Sequence, residues 1–246
     1  MISLTVDYEF DWGGRVKTAK AIEHVTLPLL ECLDKVGAKA TFFVSAETVS
    51  STKPILRAIV DAGHEIASHG FHHDLQYDLL SKEELKEEIR TSKESLEDAL
   101  GIQVVGFRTP QFRKNRYTEE TLLDFGFLYD SSSVNTSLSG RYQERQYEFG
   151  LLTEIPVSTI YGRFPAGIKW INLLGAKFDE TSHRVIYLHP FDLLSMGETL
   201  KSYSKGISPL VLAFYLARFG THLNTIEQIA KGSVSLESVV MGQKRG

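Results

Sequence analysis

Short β-branched and aromatic runs alternate along the chain with segments whose apolar residues recur every three to four positions, the pattern of an α/β protein. Ile2–Val6, Ala40–Val44, His64–Ser68, Val104–Phe107 and Phe127–Asp130 read as the first five strands. Between them, Lys20–Val36 carries Ile22, Val25, Leu29, Leu30, Leu33 and Val36 on one stripe and stops at Gly37, and Lys53–Ala62 stops at Gly63. Ser81 with Glu84 forms a capping box that opens a long helix to Leu100, and Thr118–Phe125 predicts another. Ser131–Tyr147 keeps neither period and reads as a surface loop. Regular structure is expected again at Thr153–Val157 and around Lys169–Leu174. Arg184–His189 then predicts a buried strand, Pro209–Phe219 a helix, and Thr221–Thr225 a last strand before a closing helix. After Lys231 the pattern fades, which predicts a frayed end.

No repeat or linker divides the 246 residues, so one domain spanning residues 1–246 is expected. The strand–helix alternation fits either an open doubly wound sheet or a closed barrel. A dinucleotide-binding sheet would follow its first strand with a glycine-rich turn, whereas here Asp7 and Glu9 stand there, which favours the barrel. Composition narrows the classes further. With 27 basic against 31 acidic residues the chain offers no field for a nucleic-acid backbone, and 42% hydrophobic content excludes wholesale disorder. The one cysteine, Cys32, forbids an internal disulfide and reads as a buried thiol on the first helix. No apolar run approaches the ~20 residues of a membrane span. MISLTVDYEF has neither the basic nor the long apolar region of a leader, so a cytoplasmic protein is expected.

Ionisable residues gather at the carboxyl ends of the predicted strands: Asp7 with Glu9 and Asp11, His69 with His72 and His73, Arg108, Asp130 and His189. In an α/β barrel these ends converge on the face that carries active sites. In SHGFHHDL, His69 and His73 are four apart, a spacing that would set both imidazoles on one face of a helical turn, while His72 projects elsewhere. Two imidazoles and a carboxylate with an open position make the ligand set of a catalytic zinc site. In extended DYEFD, Asp7 and Glu9 point to one side while Tyr8 and Phe10 face the packing. Trp12, next along, suits either stacking on a sugar ring or simple packing. KEELKEEIR reads as a solvated helix face, the phenylalanines as core, and Arg141 to Arg145 as a solvated loop or the rim for an anion.

These segments, in order, resemble the motifs of the polysaccharide deacetylases, the NodB-homology group or carbohydrate esterase family 4. LTVDYE is similar to the first motif, which implies Asp7 as catalytic base. GHEIASHGFHH resembles the second, implying His69 and His73 as metal ligands. GFRTPQF resembles the third, with Arg108 lining the groove and orienting the base and Pro110 following it as a substrate-binding residue. FLYDSSS resembles the segment through Asp130 that leads to the fourth, and IYLHP the fifth, implying Leu188 as a wall of the acetyl pocket and His189 as catalytic acid. The resemblance implies a distorted seven-stranded (β/α) barrel and a hydrolase that removes an N-acyl group, chiefly N-acetyl, from a sugar in polysaccharide or surface-glycan biosynthesis. It also implies a divalent metal, zinc or else nickel or cobalt, on Glu9, His69 and His73, with Asp11 the other candidate carboxylate. The expected partner is an N-acylated sugar or glycan and no nucleic acid. Departures are Tyr8 where a second aspartate is usual, Gly70 for Ser or Thr, Gln111 and Phe112 in place of the tyrosine after Pro110, and no tryptophan after Asp130. They leave a deformylase or other amidase acting on a lipid-linked or nucleotide-linked sugar, and a carbohydrate-binding relative without turnover, as the other readings.

Overall fold

The computed structural model describes residues 1–134, 143–147, 150–160, 164–168, 171, 183–195, 197–198 and 223–243. In chain order the strands are β1 (Ile2–Tyr8), β2 (Ala40–Val44), β3 (Glu65–Ser68), β4 (Gly106–Phe107), β5 (Tyr129–Asp130), β6 (Gln143–Tyr147), β7 (Gly150–Glu154), β8 (Thr159–Ile160), β9 (Phe164–Pro165) and β10 (Arg184–Leu188). The helices are α1 (Lys20–Lys35), α2 (Val49–Asp61), α3 (Lys82–Leu100), α4 (Thr118–Asp124), α5 (Leu223–Ala230) and α6 (Leu236–Gln243). Seven strands run parallel in the order β10-β1-β2-β3-β4-β5-β7, and β6 pairs antiparallel with β7 at the edge. The sheet curls into a distorted (β/α) barrel. Its seam is closed by irregular backbone: Ser158 N–H donates to Val185 O (3.0 Å) and Tyr187 N–H to Ala166 O (3.1 Å).

Strand alternation divides the barrel into two apolar clusters. Leu4, Val6 and Tyr8 of β1, Phe42 of β2 and Ile186 and Leu188 of β10 face outward and pack with Ile22, Leu29 and Leu33 of α1, Leu56 and Ile59 of α2, and Leu85, Ile89 and Leu96 of α3. Phe43, Ala67, Tyr129, Val185 and Tyr187 face inward, and Leu236 and Val240 of α6 pack with them. Helix α3 starts on the expected capping box, Ser81 with Glu84, and ends on left-handed Gly101.

Three expectations are corrected. Gln143–Tyr147 is an edge strand and not loop; an edge strand has one neighbour to satisfy, so its polar run is no bar to pairing. Leu223 to Thr225 open helix α5 and are not strand: Ile226 and Ala230 are buried, and the Cys32 thiol donates to Leu223 O. Packing on α1 thus overrides the local β-branched preference. The expected fraying does not extend over Leu236–Gln243, since α6 docks under the barrel. The expected elements at residues 169–170, 172–174 and 209–219, the positions Thr221 and His222, and the candidates Arg141 and Trp170 lie outside the described residues. No helix among the described residues is long and apolar enough to cross a membrane.

Candidate active site

The carboxyl ends of β1, β3, β4 and β10 bring Asp7, Glu9, His69, Arg108 and His189 to one mouth of the barrel. At its centre Glu9, His69 and His73 are buried, with their donor atoms within 4.8 Å of one another. Nε2 of His73 touches Glu9 Oε2, and Nε2 of His69 lies 3.6 Å from it. This buried oxygen is nevertheless met by no hydrogen bond of proper geometry among the described residues. Two imidazole nitrogens and a carboxylate oxygen facing one point with an unmet lone pair fit a divalent cation, and the N,O donor set suits zinc. Burial pushes the Glu9 carboxyl up, but His69 and His73 in front of it, with His189 beyond, more than reverse this and hold it well below the usual range.

The two candidate ligand histidines do not share a helical turn. The residues between them form a loop bent at Gly70 (φ +74°), which still brings the rings to 5.4 Å. His69 Nδ1 lies 2.8 Å from Arg108 O; as a donor there it leaves Nε2 facing Glu9. His73 is held through its backbone, whose N–H donates to Glu47 Oε1 (3.0 Å). Of the two candidate carboxylates, Asp11 is used elsewhere: it accepts from Thr18 Oγ1 (2.6 Å) and from the N–H groups of Lys20 (3.0 Å) and Ala21 (3.1 Å), capping α1.

Beside the cluster, Arg108 is wholly buried and donates to Asp7 Oδ1 (2.6 Å), Thr5 Oγ1 (2.9 Å), Ser131 O (3.1 Å) and Ser131 Oγ (2.9 Å). Its guanidinium also lies 4.0 Å from the Phe43 ring centroid. On the other flank His189 Nε2 stands 3.8 Å from Glu9 Oε1. Asp192 anchors this histidine twice, with Oδ2 accepting from the His189 N–H at 2.9 Å and lying 3.2 Å from Nδ1. Burial pulls the His189 pKa down, but Asp192 first, then Glu9 and Asp7, hold it above the ordinary value of 6.5. Asp192 went unnoticed in the sequence, although HPFD sets a carboxylate three residues past the histidine, the spacing of a capping box.

Four residues expected around the substrate are placed otherwise. Trp12 is only 6% exposed and stacks on Phe191 (5.2 Å, 15°), which stacks on His189 (4.7 Å, 11°), so it supports that imidazole from behind. Leu188 faces outward into the helix-side core; alternation back from His189 puts Tyr187 on the site's face, with ring centroids 5.7 Å apart. Asp130 is buried, accepting from Ser132 N–H (3.0 Å), the Ser132 hydroxyl and Lys114 Nζ (3.1 Å). Burial raises its pKa against the pull of Lys114. Its place is a brace, because Ser132 Oγ in turn accepts from Thr109 N–H (2.7 Å) beside Arg108. Pro110 is buried at the start of a turn in which Gln111 (φ +56°) and Phe112 (φ +58°) are both left-handed, and which sets Phe112 5.6 Å from both Arg108 and Tyr187.

Comparison with known proteins agrees with this geometry. The chain is 30% identical over 114 residues to a peptidoglycan deacetylase of Helicobacter pylori, covering 46% of this chain and 39% of that protein. It is 37% identical over 123 residues to a peptidoglycan deacetylase-like protein of Gibberella zeae, covering 48% and 34%. The chain thus aligns with well under half of either relative's length. The crystal structure described as a putative polysaccharide deacetylase from Mycobacterium smegmatis superimposes with a TM-score of 0.64 at 25% identity, over 99% of this chain and 90% of that one. The family model of polysaccharide deacetylases matches residues 1–129, which carry β1 with Asp7 and Glu9, the His69–His73 loop and Arg108, and the chain therefore belongs to the polysaccharide deacetylase family.

Proposed function

We propose that this chain is a metal-dependent hydrolase that removes an N-acyl group, the acetyl group first among them, from a sugar or glycan. The observation that carries the reading is the buried Glu9–His69–His73 cluster flanked by an Arg108-held carboxylate on one side and an Asp192-held imidazole on the other. Those three residues would hold the metal, and zinc, nickel or cobalt suits them. Such an ion supplies Lewis acidity toward an amide oxygen and lowers the pKa of water.

The rest of the work falls to side chains of this chain. Arg108 engages Asp7 at Oδ1 and so presents Oδ2 to accept the proton of the attacking water. His189, with Asp192 at Nδ1, directs Nε2 toward the cluster and donates a proton to the departing amine, which is too basic to leave as an anion. Phe112 and Tyr187 line the apolar flank between Arg108 and His189. Metal analysis of the purified protein, paired with acetate release from a panel of N-acetylated sugars, tests the reading. Stoichiometric metal with acetate release is expected. A metal-free protein that binds glycans without releasing acid would establish the binding-protein reading instead.

A further inference from the structure

The His69–His73 loop has no helical ladder to fix the separation of its two ligands, so that separation must be set by other contacts. On the strand side, Ala46 N–H donates to Gly70 O (2.9 Å) and Glu47 N–H to Phe71 O (3.1 Å). The other side is held by Tyr77 and Glu88. Phe71 N–H donates to the Tyr77 hydroxyl (3.1 Å), which donates to Glu88 Oε2 (3.0 Å). The same Glu88 oxygen accepts from the His72 N–H (3.0 Å), and Oε1 lies 2.8 Å from His72 Nδ1. Tyr77 is wholly buried, and its backbone O accepts from Asn115 Nδ2 (3.0 Å). A single carboxylate on α3 therefore gathers the backbone of Phe71 and His72, the two residues before His73, through one tyrosine and one direct bond.

The departure at Gly70 has its cause here. A Cβ at residue 70 would lie 2.0 Å from the Tyr77 hydroxyl oxygen, and the backbone there is left-handed. The tyrosine hydroxyl thus occupies the space in which a residue-70 side chain would otherwise stand, and brings its own donor and acceptor. Burial, then Glu88, raises the Tyr77 pKa well above the ordinary value, so the phenol stays a donor.

We infer that Tyr77 and Glu88 are positioning residues of the metal site, a clamp on the ligand loop that holds His69 and His73 at the separation a divalent cation requires. The inference rests on the metal reading of the Glu9 cluster. It is tested by titrating metal-free protein with cobalt(II), followed by its visible absorption, and with zinc by calorimetry. Outer partners of metal ligands are typically worth about 10–100-fold in affinity. Tyr77→Phe and Glu88→Ala should each weaken binding by about that factor and alter the cobalt band. Glu88→Gln, which keeps an oxygen for the Tyr77 hydroxyl and the His72 N–H, should stay close to the parent. Circular dichroism and melting of the metal-free variants separate this role from a merely structural one, which would lower the melting temperature and leave metal affinity untouched. Tyr77→Phe keeps the ring in place, so it carries the test even where Glu88→Ala does not fold. Folded variants that bind cobalt as tightly as the parent would overturn the clamp and leave the metal site standing. A parent that binds neither metal would remove both.

Discussion

Two carboxylates are buried at opposite ends of the same barrel, and they are treated in opposite ways. At the base, Glu65 accepts from Tyr129 Oη (2.6 Å), Thr41 Oγ1 (2.6 Å) and the Glu237 N–H (2.9 Å), so both oxygens are engaged by neutral donors. Burial still dominates and pushes its pKa up to about 7. At the mouth, Glu9 is equally buried, but it faces imidazole nitrogens, is held below the usual range, and keeps an oxygen without a hydrogen bond. A buried polar group left unsatisfied costs about 1–3 kcal/mol, so a fold retains one where a ligand or a reaction uses it. The base is built to be complete with protein groups alone; the mouth is not.

The comparison predicts that changes at the mouth remove activity while changes at the base alter stability. The largest effect is expected for His189→Gln, which should lower kcat by about 10²–10⁴-fold, the usual worth of a positioned proton donor. Its melting temperature should stay near the parent's. Asp7→Asn should lose a similar factor and also about 3 kcal/mol or more of stability, because it strips the counter-charge from the wholly buried Arg108. Either protein turning over an N-acetylated sugar at the parental rate would refute the assigned roles. Next in size, Glu9→Ala should weaken zinc affinity by more than about 100-fold, beyond what an outer partner contributes. Equal zinc affinity in calorimetry would remove Glu9 from the site.

How far the sequence disclosed this depends on what kind of signal each residue carried. The β1, β2, β3 and β10 runs and the Ser81 capping box were legible because burial period and cap chemistry are local. The four-residue spacing of His69 and His73 pointed to two rings that the structure does bring together, but through another conformation, since a loop bent at Gly70 achieves what a helical turn would. Leu188 was implied by the resemblance of IYLHP to the family's fifth motif, although strand alternation puts Tyr187 on the side of His189. Asp11 and Glu9 could not be told apart in DYEFD, because what separates them is the start of α1, whose N–H groups claim Asp11. Tyr77 and Glu88 were invisible for the same reason: their relation to the ligand loop is made by α3 packing, 16 residues along the chain from His72 to Glu88. Likewise α6 has a weak apolar period, and its place is set by Thr41 and Glu65 receiving its first N–H groups.

The base supplies the smaller effects and the sharper signs. Glu65 has a folded pKa of about 7 against an ordinary 4.5, so the folded protein holds this proton more tightly than the unfolded chain does. Stability from this group is therefore present in full below pH 4.5 and declines as pH rises through 7. At 1.36 kcal/mol per pKa unit the decline amounts to about 3 kcal/mol at most. Glu65→Gln, which cannot ionise, should flatten that part of the profile in urea titrations at pH 5 and pH 8. An unchanged slope would mean that the carboxylate is not the group titrating.

Tyr129→Phe sharpens the contrast with the least perturbation. The ring would still fill the space beside Gly106, where a Cβ would lie 2.1 Å from the Tyr129 hydroxyl oxygen, so only one hydrogen bond is removed. The loss should be about 1–3 kcal/mol, at the upper end above pH 7, where the bond is charge-assisted, and smaller at pH 5. Losing a donor to the ionised form should also move the decline assigned to Glu65 to higher pH. Zinc affinity should be unaltered, because Glu65 and the Glu9 cluster lie at opposite ends of β3 and share no partner among the described hydrogen bonds. A Tyr129→Phe protein whose zinc affinity falls tenfold while its urea midpoint at pH 8 stays put would mean that base and mouth are coupled through the barrel interior, and the division between a complete end and an open end would have to be withdrawn.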